Sequence, residues 1–404
     1  MKVFNTKEVK NALMIGIISS ISYFACYFAR NILSVASPDI VATTDITLEY
    51  IGPLSTANML SYAIGQLING IIGDKVKGKY LVSGGLLFAG ISEVILGFSN
   101  SPITMIIAYS FMGFFLSMIY APLTKLIAEN THPIHAMRCC LGLTFASFFG
   151  APVAGVVALA FNWKSAFILC GMILIVMGAI FYLSILFFEK REIVKYREQT
   201  KKEKIGKSGG IKVLLKNQIV KFSLVAVLTG IVRTSVVFWI PTYLSQHLGF
   251  SAGISATMFT IITCAQSVAP FVNNLIVYER LLKRDMNKMI LLAFSASTIS
   301  FVMMFVVEQP IINILFLLVA LVTASGASDM LWSIYCPSLR DTGMVSSATG
   351  YLDFVSYMAA AAANLLFANA ISQIGWGKLI LVWAALMLVG VLISLPRKKK
   401  ENVA

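Results

Sequence analysis

The chain is built from apolar runs about as long as a bilayer is thick, separated by short polar breaks. A helix rises ~1.5 Å per residue, so roughly 20 mostly apolar residues cross the hydrocarbon core. Twelve runs of about that length can be marked. They lie at about 11–38, 50–73, 80–98, 103–127, 138–161, 164–188, 217–246, 252–277, 287–307, 310–336, 343–373 and 376–396. Several exceed the minimum, which predicts tilt or extension beyond the hydrocarbon. The expected fold class is therefore an all-α polytopic membrane protein with twelve transmembrane helices.

The longest polar break, 189–216, carries ten Lys and Arg together with Gly206, Gly209 and Gly210. It leaves six runs on either side. The expected organisation is an N-terminal six-helix bundle over 1–188, a basic central loop over 189–216 and a C-terminal six-helix bundle over 217–404. Equal halves suggest an internal duplication and two pseudo-symmetric bundles. One short repeat agrees. Asn162-Trp163-Lys164 opens the sixth run and Gly375-Trp376-Gly377-Lys378 opens the twelfth. Taken alone, these would be two ordinary interfacial tryptophans.

Composition sharpens this picture. Hydrophobic residues are 58% of the 404 and charged residues 12%, against roughly 45–50% and 25% in soluble domains. That excludes a secreted domain, a disordered chain and an ordinary cytosolic enzyme. A net charge of +14 would normally raise nucleic acid as a partner. With the N-terminus placed inside, however, 27 of the 32 Lys and Arg fall in inside breaks, and only Lys164 and Lys378 fall outside. Such asymmetry predicts an integral plasma (inner) membrane protein with both termini cytoplasmic. The basic excess is thus topological, and no nucleic acid partner is expected.

Catalytic chemistry finds little support. Cys26, Cys139, Cys140, Cys170, Cys264 and Cys336 lack zinc-site spacing and read as small core residues. His132 and His135 flank Pro133 in a short break and read as loop residues. No nucleophile–base pair stands out, so neither an enzyme nor a metal or cofactor is expected.

Ionisable residues inside spans are costly and mark candidate sites. Four that stand within the runs are Arg30, Arg233, Asp329 and Asp353. Arg233 lies about 12 residues from Lys221 and 14 from His247, near mid-bilayer. Arg30 is closer to one end and could snorkel to the outer interface. Tyr23 and Tyr27 share its helix face. Further polar stripes are Asn58, Tyr62 and Gln66; Ser325, Ser328, Asp329 and Trp332; and Asp353 with Tyr357. Each alone reads as a helix–helix contact. Together with two arginines they suggest the lining of a cavity for an anion.

Between the second and third runs stands Gly70-Ile-Ile-Gly73-Asp74-Lys75-Val76-Lys77-Gly78-Lys79. Its glycines permit close helix approach, and Asp74, Lys75 and Lys79 suggest a charge network at a tight turn. It resembles the loop motif of the major facilitator superfamily, with one residue extra before the second glycine. The resemblance narrows further. Tyr23-x3-Tyr27-x2-Arg30-Asn31 and Arg233-x5-Trp239-x-Pro241-Thr242-Tyr243-Leu244 are similar to the first and seventh helices of the organophosphate:phosphate antiporters, the glycerol-3-phosphate and hexose-phosphate exchangers. Tyr62 and Tyr357 fit cavity tyrosines of the same family. The resemblance implies that Arg30 and Arg233, one from each half, clamp the substrate's phosphate. It departs at Gln66, Phe149 and Gly230, where that family carries lysine, histidine and tyrosine. Ala29-Arg30-Asn31, Leu33-Ser34-Val35-Ala36 and Tyr62-Ala63-Ile64-Gly65-Gln66 also resemble the organic anion symporters for sugar acids.

The expected function is alternating-access transport of a small organic anion, with a phosphorylated metabolite favoured. Arg30, Arg233, Tyr23, Tyr27, Tyr62, Gln66 and Tyr357 would form the substrate shell. Asp329 and Asp353 would balance charge or carry a coupled proton. The counter-substrate would be inorganic phosphate or a proton, and the protein is expected to act as a monomer in the bilayer. Alternatives are a proton-coupled symporter of sugar acids and a transporter-like ligand sensor.

Overall fold

The computed structural model describes residues 6–44, 48–99, 101–196, 213–250 and 252–395. Most of the expected central loop, at 197–212, lies outside them, as does the basic stretch at 397–400. Among the described residues every regular element is helical.

The twelve expected runs correspond to twelve helical segments. In the first half they are α1 (Thr6–Thr43), α2 (Leu48–Lys75), α3 (Gly78–Phe98), α4 (Pro102–Asn130), α5 (Pro133–Ala160) and α6 (Trp163–Lys190). In the second half, α7 runs from Ile219–Gly230 through a π-helical turn, Ile231–Val236, to Val237–Gln246. Helix α8 is Ala252–Phe271 continued by the π segment Val272–Leu281, and α9 is Met286–Val306. Helix α10 is Pro310–Asp329, continued by the π segment Met330–Tyr335. The span Val345–Ser394 breaks at Gly375, whose φ of 76° is left-handed, giving α11 over 345–374 and α12 over 376–394. Nine spans among the described residues meet both length and hydropathy requirements for crossing a membrane.

The polar breaks start these helices by familiar means. Pro102, Pro133 and Pro310 sit in the first turn of α4, α5 and α10, where a missing N–H costs nothing. Asn162 Oδ1 accepts from Ser165 N at 2.9 Å to cap α6, and Asp285 Oδ1 accepts from Lys288 N at 3.0 Å to cap α9. Pro133 also changes the reading of the histidines. It opens α5, so His135 stands in that helix's first turn and is buried, while His132 is its N-cap.

The chain divides into two compact units. The first comprises Met1–Ile219 and Trp332–Met358; the second comprises Val220–Leu331 and Ala359–Ala404. In the first unit α3 packs on α6 through glycine. A Cβ on Gly90 would lie 2.6 Å from Gly171 O, and a Cβ on Gly171 would lie 2.6 Å from Gly90 O. Small residues let two backbones meet where lipid supplies no hydrophobic drive. Outward residues such as Leu13, Ile17 and Ile21 of α1 are exposed and apolar, as lipid contact requires. The cysteines divide on the same principle. Five are buried, whereas Cys264 of α8 is exposed, so it is not the core residue expected.

Asp74 of the loop motif works differently from the charge network expected. Its Oδ1 accepts from Ser346 N at 2.9 Å and its Oδ2 from Ser347 N at 2.8 Å, closing the start of α11. Lys125 Nζ donates to the carbonyls of Gly73 and Asp74 at 3.0 and 2.9 Å. Lys79 instead pairs with Glu189 at 2.6 Å, and Lys75 is exposed. The motif glycines bring α2 against α11. A Cβ on Gly70 would meet Ser346 O at 2.9 Å, whereas Gly78 makes only ordinary contact with Pro122.

The two repeat tryptophans have matching roles, each inside its own unit. Trp163 Nε1 donates to Thr43 Oγ1 at 3.0 Å, near the end of α1, and Trp163 N donates to Asp39 Oδ2 at 2.7 Å. Trp376 Nε1 donates to Gln246 Oε1 at 3.3 Å, at the end of α7. Both are buried and hydrogen-bonded, which goes beyond an interfacial preference.

Candidate functional site

The first unit gathers six of the expected residues around Arg30. This side chain does not snorkel outward. Its guanidinium lies 4.4 Å from the Tyr62 ring centre, 5.0 Å from Tyr357 and 5.7 Å from Tyr27. Its Nη1 donates to the Tyr357 hydroxyl at 3.0 Å. The Tyr27 and Tyr357 hydroxyls are 3.5 Å apart. Aromatic faces hold a cation at about 0.5–2 kcal/mol each without neutralising it.

The helix spacing read from sequence makes this cluster. Tyr23 and Tyr27, one turn apart on α1, pack edge to face at 5.0 Å. Tyr62 and Gln66, one turn apart on α2, share a hydrogen bond of 2.6 Å from Gln66 Nε2 to the Tyr62 hydroxyl. Tyr62 also packs edge to face on Tyr357 at 5.2 Å. Asp353, one turn before Tyr357 on α11, is buried and interacts electrostatically with Tyr62 and Tyr23. The first unit thus holds one arginine and one aspartate of the expected set.

Two stripes divide. Asn58 leaves the cluster, because its Nδ2 donates to Tyr109 O on α4 at 2.7 Å. Trp332 leaves the Ser325–Asp329 face. It belongs to the first unit and packs on Tyr120 at 5.9 Å, from within the π segment that changes the helix register.

The second unit holds the other arginine and aspartate. Asp329 lies within electrostatic reach of Arg233. Asn273 Nδ2 donates to Asp329 Oδ2 at 3.3 Å and to Ser325 Oγ at 3.0 Å. Arg233 lies inside one π segment, Asn273 inside another, and Asp329 immediately precedes a third. Such turns relieve the regular ladder and are frequent at functional sites. In the seventh-helix motif Tyr243 donates to Asn313 and packs on Trp376, a structural role. The side chains of Ser34, Val35, Pro241 and Thr242 lie outside the described residues.

Sequence reasoning missed four residues. Tyr120 stacks on Tyr23 at 5.1 Å, and Tyr109 donates its hydroxyl to Arg30 O at 3.3 Å. Asn273 bonds Asp329. Glu93 is fully buried in α3. Its signal was available, since it is the single charge within the run 80–98. The others carry no signal, because tyrosine and asparagine within apolar runs are common.

Residues 19–364 match the family model of the Major Facilitator Superfamily. Three curated relatives align over part of the chain. The membrane sensor protein UhpC of Salmonella typhimurium is 24% identical over 60% of this chain, and a probable hexose phosphate transport protein of Chlamydia trachomatis is 24% identical over 40%. The hexuronate transporter of Bacillus subtilis is 24% identical over 58%. The chain spans 59%, 36% and 57% of the lengths of these relatives. Among solved structures, the proton:xylose symporter XylE, bound to 6-bromo-6-deoxy-D-glucose, is similar with a TM-score of 0.69 and 12% identity. That match covers 96% of this chain and 95% of the other. Twelve helical segments and a family match across most of the length converge on one assignment. The chain belongs to the major facilitator superfamily.

Proposed function

We propose that the protein is a secondary active transporter of a small organic anion, favouring a phosphorylated metabolite, in the plasma membrane with both termini cytoplasmic. The observation that carries this reading is the setting of Arg30. Its described partners are aromatic faces and a hydroxyl, which orient a guanidinium while leaving its charge for a ligand. A guanidinium can offer an oxyanion two parallel charge-assisted hydrogen bonds. In the proposed cycle Arg30 and Arg233 both bind the anion, with Tyr23, Tyr27, Tyr62, Gln66 and Tyr357 completing the shell. Neutralising two half-buried cations lowers the barrier to closure, so binding drives alternating access.

The relative named as a probable hexose phosphate transport protein supports a phosphorylated substrate. The relative named as a hexuronate transporter favours the second reading, proton-linked uptake of a sugar acid. Each arginine shares its unit with one buried aspartate, Asp353 or Asp329, which argues for a modestly charged cargo. The relative named as a membrane sensor favours a third reading, ligand binding without flux.

Proteoliposomes separate the three. Vesicles loaded with phosphate are offered labelled glucose-6-phosphate, glycerol-3-phosphate or glucuronate, with and without an imposed proton gradient. Uptake that requires internal phosphate selects exchange. Uptake that follows the proton gradient selects symport. Saturable binding with no uptake in either arm selects the sensor and overturns the transport proposal.

A further inference from the structure

Glu93 is the one acid in α3, and its side chain has no exposure. Among the described residues neither carboxyl oxygen has a hydrogen-bond donor. On either side of it along α3, glycines bring the backbones of α3 and α6 close together. Gly90 meets Gly171 and Ile175 of α6, and Gly97 meets Ile168 and the carbonyl of Lys164. Among the described residues, the titratable side chains that interact with it are Cys26 of α1, Tyr109 of α4 and Cys170 of α6, none a cation. A carboxylate in such a place would lack both water and a compensating donor, a cost of several kcal/mol.

Packing needs alone do not explain an acid here, since a glutamine or methionine fills similar volume at no such cost. The surroundings tie Glu93 to the anion cluster. Tyr109, which interacts with Glu93, also interacts with Arg30, and its hydroxyl donates to the Arg30 carbonyl. Cys26 likewise interacts with both.

We propose that Glu93 is a proton-binding site of the first unit, whose occupancy is coupled to anion binding at Arg30. The proton comes from water, bonds to one carboxylate oxygen and returns to water when the surrounding helices open. The sign of the coupling follows from charge. The positive charge of an empty Arg30 favours the carboxylate form of Glu93 in the same unit, and so proton release. A bound anion cancels that positive charge and favours proton uptake. Linkage makes the effect reciprocal, so a protonated Glu93 strengthens anion binding and the two travel together. The transport half of this inference rests on the function proposed above, while the proton-binding half does not.

Two measurements on the full-length protein test it. The first is infrared spectroscopy of protein in lipid nanodiscs, without substrate, titrated from alkaline to acid pH. Wild type is expected to show the carbonyl stretch of a buried protonated carboxyl that Glu93→Gln lacks. The same band unchanged in that variant overturns the proposal, even if transport is never detected. The second uses proteoliposomes with labelled glucuronate or glucose-6-phosphate. One coupled proton makes a gradient of about one pH unit worth about tenfold accumulation. Glu93→Gln is expected to lose that tenfold response while still exchanging labelled for unlabelled anion. A variant that keeps the wild-type response overturns the coupling. Absence of flux in wild type overturns the transport reading instead, and the infrared result then decides whether Glu93 binds a proton.

Discussion

Arg30 donates to the hydroxyl of Tyr357 at 3.0 Å across 327 positions of sequence. That bond joins a residue of α1 to one of α11 inside the first compact unit. It also fixes the guanidinium over the faces of Tyr62 and Tyr27. Removing the hydroxyl by Tyr357→Phe keeps the ring and loses the bond. A hydrogen bond from a charged donor is worth about 1.5–3 kcal/mol, so anion affinity should fall at least tenfold. Isothermal titration with glucose-6-phosphate or glucuronate measures it, and an unchanged affinity would separate Tyr357 from the binding shell.

Arg30→Lys and Arg233→Lys keep the charge and lose the planar fork. Charge-assisted bonds are worth about 1.5–3 kcal/mol each, so either change should weaken binding at least tenfold. Near-normal uptake by Arg233→Lys in proteoliposomes would end the two-arginine proposal.

Asp74 acts as a cap for α11 through Ser346 and Ser347. Asp74→Ala should cost about 1 kcal/mol of stability, as loss of a helix cap does elsewhere. Asp74→Asn retains one side-chain acceptor and should cost less. Thermal unfolding of the detergent-solubilised protein gives the order, and equal losses for both variants would argue against a capping role.

Gly350 cannot accept a side chain without movement of α2. A Cβ there would lie 2.2 Å from Gln66 O and 2.8 Å from Gly70 Cα, both backbone atoms. Gly350→Ala should therefore destabilise by about 1–3 kcal/mol, the usual cost of overpacking. At Gly84 a Cβ meets nothing within 4 Å, so Gly84→Ala is the matched control and should be neutral or stabilising. Unfolding curves for the pair test this.

The loop motif shows what a sequence pattern leaves out. Its glycines and its acid are conspicuous in the chain, yet Asp74 bonds backbone groups 272 and 273 positions away rather than the neighbouring lysines. Lys79 finds Glu189 instead, 110 positions on. Charge proximity along the chain is a poor guide when backbone donors at a helix start compete for the same carboxylate. His135 makes the same point on a smaller scale, because Pro133 starts a helix rather than ending a loop.

Local rules were enough for much else. Hydrocarbon thickness sets the length of each apolar run, and helical spacing puts Tyr23 beside Tyr27 and Tyr62 beside Gln66. Both are properties of one helix and need no partner. The matching positions of Trp163 and Trp376 at the starts of α6 and α12 were legible, though not their hydrogen bonds to the ends of α1 and α7. Only the tertiary structure decided which stripes meet. It put Tyr357 and Asp353 with Arg30, Asn273 with Asp329, and Asn58 and Trp332 elsewhere. It also removed water and donors from Glu93. Each outcome depends on which helix faces pack together, and that choice is made by glycine contacts and backbone bonds between segments far apart in the chain.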